Sequence, residues 1–368
     1  MVAMHPTLLV GPADWDPARL PGEEFAARLA AFWDACDPGV AGAIVYGSPR
    51  HHAELAYLTH FTPKLEAAIA LIPRQGTPRL LVGGGVNMLG AATPLTFVET
   101  LLPLRAPGKA IARWRDELGS SLVLVNGDAM PFGMRQEIEN ALGGPLPDAT
   151  PLVAQAMRCK SPCELALIRA ACASLDAAFS TMREAQRGGQ GITDIVHAGE
   201  QAAWWRGAQD VRSLFGPDGS LAPFTGLDHA PADPLQIYLA VCHDGYWAEG
   251  FAVLARTEPP LAIAARAALD EALPLAKPGT PHRALVERIA QAVGVRPHPI
   301  THNDFGGTIG LALDVAGCLT GTSDRSFVSG EVFSIRVGMR EPNESAIVSA
   351  MIAITASGHE VLWPGARQ

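Results

Sequence analysis

The chain has 368 residues, of which 48% are hydrophobic and 18% charged, with a net charge of −9 and a pI near 5.7. This length exceeds what one hydrophobic core usually supports, so two domains are expected, with apolar material enough for both. An acidic chain without a basic stripe argues against nucleic acid as a partner.

No segment reaches the roughly 18 uncharged apolar residues that a membrane helix needs. The N-terminal MVAMHPTLLVGPADWD lacks a basic region and soon reaches acids, so neither a membrane nor a secretory signal is expected. The cysteines (Cys36, Cys159, Cys163, Cys172, Cys242 and Cys318) form no C-x-x-C pair and lie in apolar or helical stretches. They read as reduced, mostly buried thiols of a cytoplasmic protein. Cys159 and Cys163 have a spacing that could suit a metal, but two packing residues flanking a helix start explain it more simply.

In chain order, AGAIVYG (41–47) predicts a buried strand and RHHAELAYLTHF a helix in its middle. AAIALIP and PRLLVGG predict two short strands around an RQGT turn. SSLVLVNG (120–127) predicts another strand, and FGMRQEIENAL a helix stopped by Gly143-Gly144. PLPDATPLVAQAM (145–157) reads as loop. In CKSPCELALIRAACASLDAAFSTMREA, Ser161, Pro162 and Glu164 predict a capping box opening a long amphipathic helix. ITDIVHAGEQAAWWRGA predicts a second helix, capped near Thr193. LQIYLAV and YWAEGFAVLA predict a hairpin closed at His243-Asp244-Gly245. Two further helices follow, in LAIAARAALDEALPLA and PHRALVERIAQAVG. The strands GGTIGLAL, GEVFSIRVGM, AIVSAMIAITASG and HEVLW close the chain. The expected class is α+β: an α/β domain over 1–157, then helices and a curved antiparallel sheet over 158–368.

Five stretches, in order, resemble motifs of the creatinase, prolidase and aminopeptidase P superfamily. KSPCELALIRAA resembles the helix that opens its "pita-bread" domain, and DGYWAEG its gGYxxD hairpin. GGTIGLALD, GEVFSIRVGM and AIVSAMIAITASGHEVL resemble GHxxGLxxH, GMvfTiEPG and RIEDxvlVTxxGxExL. The segment AIVYGSPRHHAELAYLTHFTPKLEAAIALIP is similar to the creatinase-type N-terminal domain. The resemblance implies a creatinase-like N-terminal domain, a pita-bread C-terminal domain and a homodimer.

The superfamily's chemistry uses two Asp, one His and two Glu around two divalent cations, which generate hydroxide and clamp the scissile group. Carried over by position, the Asp sites fall on Tyr238 and Glu249, the His on Gly307, and the Glu on Arg336 and Ser349. A second family histidine falls on Asp314. One carboxylate, a phenol and a hydroxyl do not hold two dications, and an arginine repels them; no metal or other cofactor is expected, nor dipeptidase activity. Creatinase itself works without metal, but its two glutamates fall on Phe251 and Arg336, and His229 is the nearest candidate for its histidine.

The frame therefore predicts one pocket lined by Tyr238, Glu249, Arg336, Ser349 and Asp314. A guanidinium is costly to bury unpaired and matches a carboxylate bidentately. In one reading Arg336 binds a substrate carboxylate, and Glu249, His229 or His302 serves as acid or base. In the other, Arg336 and Glu249 form an internal ion pair that plugs a dead site. In THNDFGG, His302 and Asp304 lie where the relatives place a substrate-side histidine, though a turn-capping pair fits equally. His51-His52 reads as a solvated pair, and of Trp204 and Trp205 one reads as core and the other as interface. The expected function is metal-independent action on a small anionic amino-acid-like or amide compound, by C–N or related bond cleavage or by rearrangement. The alternative is a non-catalytic binding or scaffold protein.

Overall fold

A computed structural model describes residues 14–119, 121–217, 221–224, 226, 230–294, 296–313 and 318–366. The chain divides into two compact units, Met1–Met157 and Arg158–Gln368.

In the first unit, strands β1 (Val40–Gly47), β2 (Ala68–Pro73), β3 (Arg79–Val82), β4 (Thr100–Pro103) and β5 (Ser121–Val125) form one sheet in the order β4-β3-β2-β1-β5. The β1–β2 and β2–β3 pairs are antiparallel, and β1–β5 and β3–β4 parallel. Helices are α1 (Gly22–Ala35), α2 (Ala53–Thr59), α3 (Leu89–Ala92), α4 (Pro107–Leu118), α5 (Phe132–Leu142) and α6 (Thr150–Ala156). β1 is buried almost throughout, and Ile44 and Tyr46 pack with Ile111 and Trp114 of α4. Gly42 sits under that helix, where a β-carbon would come within 2.6 Å of the Trp114 ring. The segment expected to be loop holds α6, because Asp148 accepts from the Thr150 amide at 2.9 Å and Pro151 suits the first turn.

The second unit opens with α7 (Pro162–Arg187), and its capping box is complete: Ser161 Oγ accepts from the Glu164 amide, and the Glu164 carboxylate from the Ser161 amide. By length and composition alone α7 could cross a membrane, although charged residues such as Arg169 and Asp176 interrupt it. A stripe of it, including Leu167, Ile168, Leu175 and Phe179, is instead buried, and it packs on strands β7 and β8. The next helix, α8 (Ile192–Trp205), starts after Gly191 rather than from a Thr193 cap; Thr193 is inside the first turn and buried.

Strands β6 (Asp210–Gly216), β7 (Leu235–His243) and β8 (Tyr246–Leu254) form an antiparallel sheet in that order. The β7–β8 turn has Asp244 at φ 48° and Gly245 at φ 82°, the left-handed pair that matches strand twist in a two-residue hairpin. Helices α9 (Pro260–Ala272) and α10 (His282–Val293) follow, then β9 (Gly306–Thr308), β10 (Val332–Glu341), β11 (Glu344–Ile354) and β12 (His359–Trp363), ordered β12-β11-β10-β9. β9 is three residues, far shorter than the GGTIGLAL strand expected. No cysteine is joined in a disulfide among the described residues, but only Cys36, Cys172 and Cys242 are buried, whereas Cys159 and Cys318 are exposed.

Candidate functional site

Alternation along β10 and β11 sorts their side chains between two faces. Phe333, Ile335, Val337 and Met339 pair with Ile352, Ala350, Val348 and Ala346, and this face buries itself against α9 and α10. The opposite face carries Ser334 paired with Met351, and Arg336 paired with Ser349. β8 meets that second face: the Glu249 amide lies 3.3 Å from Met351 Sδ, and the Phe251 amide donates to Ser349 Oγ at 2.8 Å. The Gln236 side chain bonds both backbone groups of Ile347, at 2.7 and 3.0 Å. The matching face of the β6–β8 sheet carries Tyr238 opposite Phe251, and Ala240 opposite Glu249.

The polar groups between these faces form a chain. The Tyr238 hydroxyl donates to Glu249 Oε2 at 2.8 Å. Glu249 Oε1 lies 3.8 Å from Arg336 Nη1, and Arg336 Nη2 pairs with Asp304 Oδ2. Asp304 turns its other oxygen to the Gly306 amide at 3.0 Å. The Arg336 guanidinium also stacks over Phe251, 5.6 Å from the ring centroid, and that ring packs against Tyr238. Glu249 is buried, while the Asp304 side chain is 36% exposed. Arg336 Nε is buried with no hydrogen-bond partner.

Burial, and then the charge and hydrogen bond of Glu249, push the Tyr238 phenol above the usual tyrosine range; Arg336 and Arg212 pull it down less strongly. Tyr238 is therefore a fixed donor to Glu249 and not a base. Arg212, opposite Ala240 on β6, stacks on Trp247 at 4.4 Å and lies on the same face.

The structure thus joins Tyr238, Glu249, Arg336 and Asp304. Ser349 stands beside them, but it is fully buried and its hydroxyl braces β11 to β8. His302 is exposed, and its ring makes no hydrogen bond among the described residues. His229 and Asp314 lie outside the described residues. Phe251 and Arg212 were not among the expected site residues. Phe251 could have been found from its position two residues beyond Glu249, on the same face.

The two-cation centre that the resemblance implies does not fit this donor set. The phenol stays protonated, the serine hydroxyl is committed to a backbone amide, Gly307 has no donor side chain, and a guanidinium lies 3.8 Å from the one buried carboxylate. Among the described residues no three His, Cys, Asp or Glu side chains are grouped to hold a metal ion.

Two units of this topology, with the second built on a hairpin and a four-stranded sheet meeting around one polar cluster, define the two-domain pita-bread fold. Solved structures of the creatinase, prolidase and aminopeptidase P superfamily share it. An Xaa-Pro dipeptidase from Bacillus anthracis superposes with a TM-score of 0.74 at 17% identity, over 92% of this chain and 97% of that one. An X-Pro aminopeptidase from Thermotoga maritima gives 0.75 at 17%, over 88% and 94%. The dipeptidase PepE from Mycobacterium ulcerans gives 0.74 at 19%, over 95% and 97%. At these identities the likeness establishes the fold. No protein-family model and no curated protein sequence matches the chain.

Proposed function

We propose that the C-terminal unit is a metal-independent enzyme site that anchors the carboxylate of a small amino-acid-like or amide substrate on Arg336. The observation that carries this reading is the half-used edge of the guanidinium. Asp304 takes Nη2 with one oxygen only, while Nε, its neighbour on that edge, is buried without a partner. A carboxylate filling that edge makes two parallel charge-assisted bonds, which Asp304 does not. Asp304 is the exposed member of the cluster, so a substrate carboxylate would displace it and leave Glu249 in place.

In that arrangement Arg336 orients the substrate, Phe251 and the buried strands exclude water on one side, and Glu249 is the acid–base group, with Tyr238 holding one of its oxygens. The chemistry is cleavage or rearrangement at a C–N or related bond. That solved structures of this fold are named as peptidases supports a hydrolytic scaffold. A second reading has one observation in its favour: Tyr238, Glu249, Arg336 and Asp304 already satisfy most of one another's polar groups, as a catalytically silent binding or scaffold protein would need.

Titration of the full chain with acetate, followed by saturation-transfer NMR, tests the carboxylate anchor on which the enzyme reading rests. The enzyme reading requires acetate binding that falls at least tenfold in Arg336→Met. Acetate that does not bind, or binds both proteins alike, would falsify the carboxylate anchor.

A further inference from the structure

On the face of β10 that carries Arg336, the next side chain back along the strand is Ser334. It is 1% exposed, and its hydroxyl has no hydrogen-bond partner. A buried hydroxyl without a partner is uncommon and calls for an occupant. Register makes the surroundings specific. Ser334 stands in a row across all four strands, with Gly307 on one side and Met351, then Trp363, on the other. Met351 and Trp363 are fully buried and fill their positions; Trp363 stacks on Phe179 at 5.2 Å. Gly307 leaves its position without a side chain. A buried, unsatisfied hydroxyl and a residue with no side chain therefore coincide at the Gly307–Ser334 pair, one same-face step, roughly 7 Å along the strand, from Arg336.

Two buried polar atoms without partners, Ser334 Oγ and Arg336 Nε, thus belong to neighbouring positions of one strand face. From this juxtaposition we infer that Ser334 is a specificity-determining residue: its hydroxyl donates to a neutral carbonyl oxygen of the substrate, whose carboxylate sits on Arg336. The inference rests on the carboxylate anchor proposed above. A neutral acceptor suits the position better than a second anion, since Glu249 and the substrate carboxylate already outnumber the Arg336 charge. A carboxylate and a nearby amide carbonyl in one small molecule describe an N-acylated amino acid.

The test compares acetate with N-acetylglycine on the full-length protein, with Ser334→Ala and Gly307→Ala as variants and thermal unfolding to confirm that each folds. Acetate reports Arg336 alone; N-acetylglycine adds the carbonyl. The wild type should bind N-acetylglycine about tenfold more tightly than acetate, the worth of one good hydrogen bond. Ser334→Ala should remove that advantage and leave acetate unchanged. Gly307→Ala should also weaken N-acetylglycine alone, by placing a methyl group beside the Ser334 hydroxyl rather than removing a donor. Acetate binding with no N-acetylglycine advantage, or an advantage that survives Ser334→Ala, overturns the role of Ser334 and leaves the anchor standing. Failure of both ligands to bind overturns the anchor and this inference with it.

Discussion

Arg336 and Ser349 are direct partners across β10 and β11, yet their side chains serve different ends. Arg336 joins two carboxylates, Glu249 and Asp304, whereas Ser349 accepts the Phe251 amide and ties the two sheets together. The sequence resemblance implies a glutamate at both positions; here one carries a cation between two carboxylates, and the other a hydroxyl bonded to a backbone amide.

Removing the guanidinium strands a buried carboxylate. Arg336→Met should cost about 2–3 kcal/mol in urea unfolding, below the full value for a buried pair because part of the cluster is open to solvent. Adding Glu249→Gln should recover much of that loss, since no unpaired charge then remains. A double variant that simply sums two losses would show that the two residues are not coupled.

Tyr238→Phe deletes a hydrogen bond to a carboxylate and should cost about 1–2 kcal/mol. The same variant should remove a late-ionising phenol from an alkaline titration followed by ultraviolet absorbance, because burial and Glu249 hold this phenol above the usual range. A Tyr238 that ionises within the usual tyrosine range would contradict the closed Tyr238–Glu249 contact.

The main strands of the second unit were legible because β8, β10 and β11 are continuous apolar runs broken by Gly, Asp and Asn turns. The capping box at Ser161 was legible for the same local reason. Helix α6 was missed because three prolines, Pro145, Pro147 and Pro151, mask a start that Pro151 in fact favours. β9 was overestimated because only Gly306–Thr308 pair with β10. In the site, Tyr238, Glu249 and Arg336 were singled out by the resemblance, with alternation fixing only the face of each strand on which they lie. Neither could show that Asp304, from the turn before β9, reaches Arg336, since that contact spans 32 residues and depends on the loop path.

His282 makes acid pH a stress on the second unit. Burial first, then Arg325 and Arg158, lower its pKa from 6.5 to about 4. Its ring packs on Phe327 at 4.5 Å, and its Nε2 is buried without a partner. Between pH 6.5 and about 4 the unfolded chain gains a proton that the folded chain does not, so stability falls as pH drops through that window. The loss should be on the order of 2 kcal/mol, and His282→Gln should flatten the slope of unfolding free energy against pH. An unchanged slope would assign the acid sensitivity to other groups.

Asp304→Ala should expose the Nε–Nη2 edge and tighten acetate binding severalfold while leaving the Tyr238–Glu249 pair intact. Weaker acetate binding in this variant would mean that Asp304 helps to hold the ligand rather than competing with it.

If Arg336 stands in for a two-cation centre, the full-length protein should not bind a pair of divalent ions. Titration with Mn(II), read by water-proton relaxation, should show no saturable pair of ions per chain, and no difference between the wild type and Glu249→Gln. Two ions bound per chain, and lost in Glu249→Gln, would contradict it.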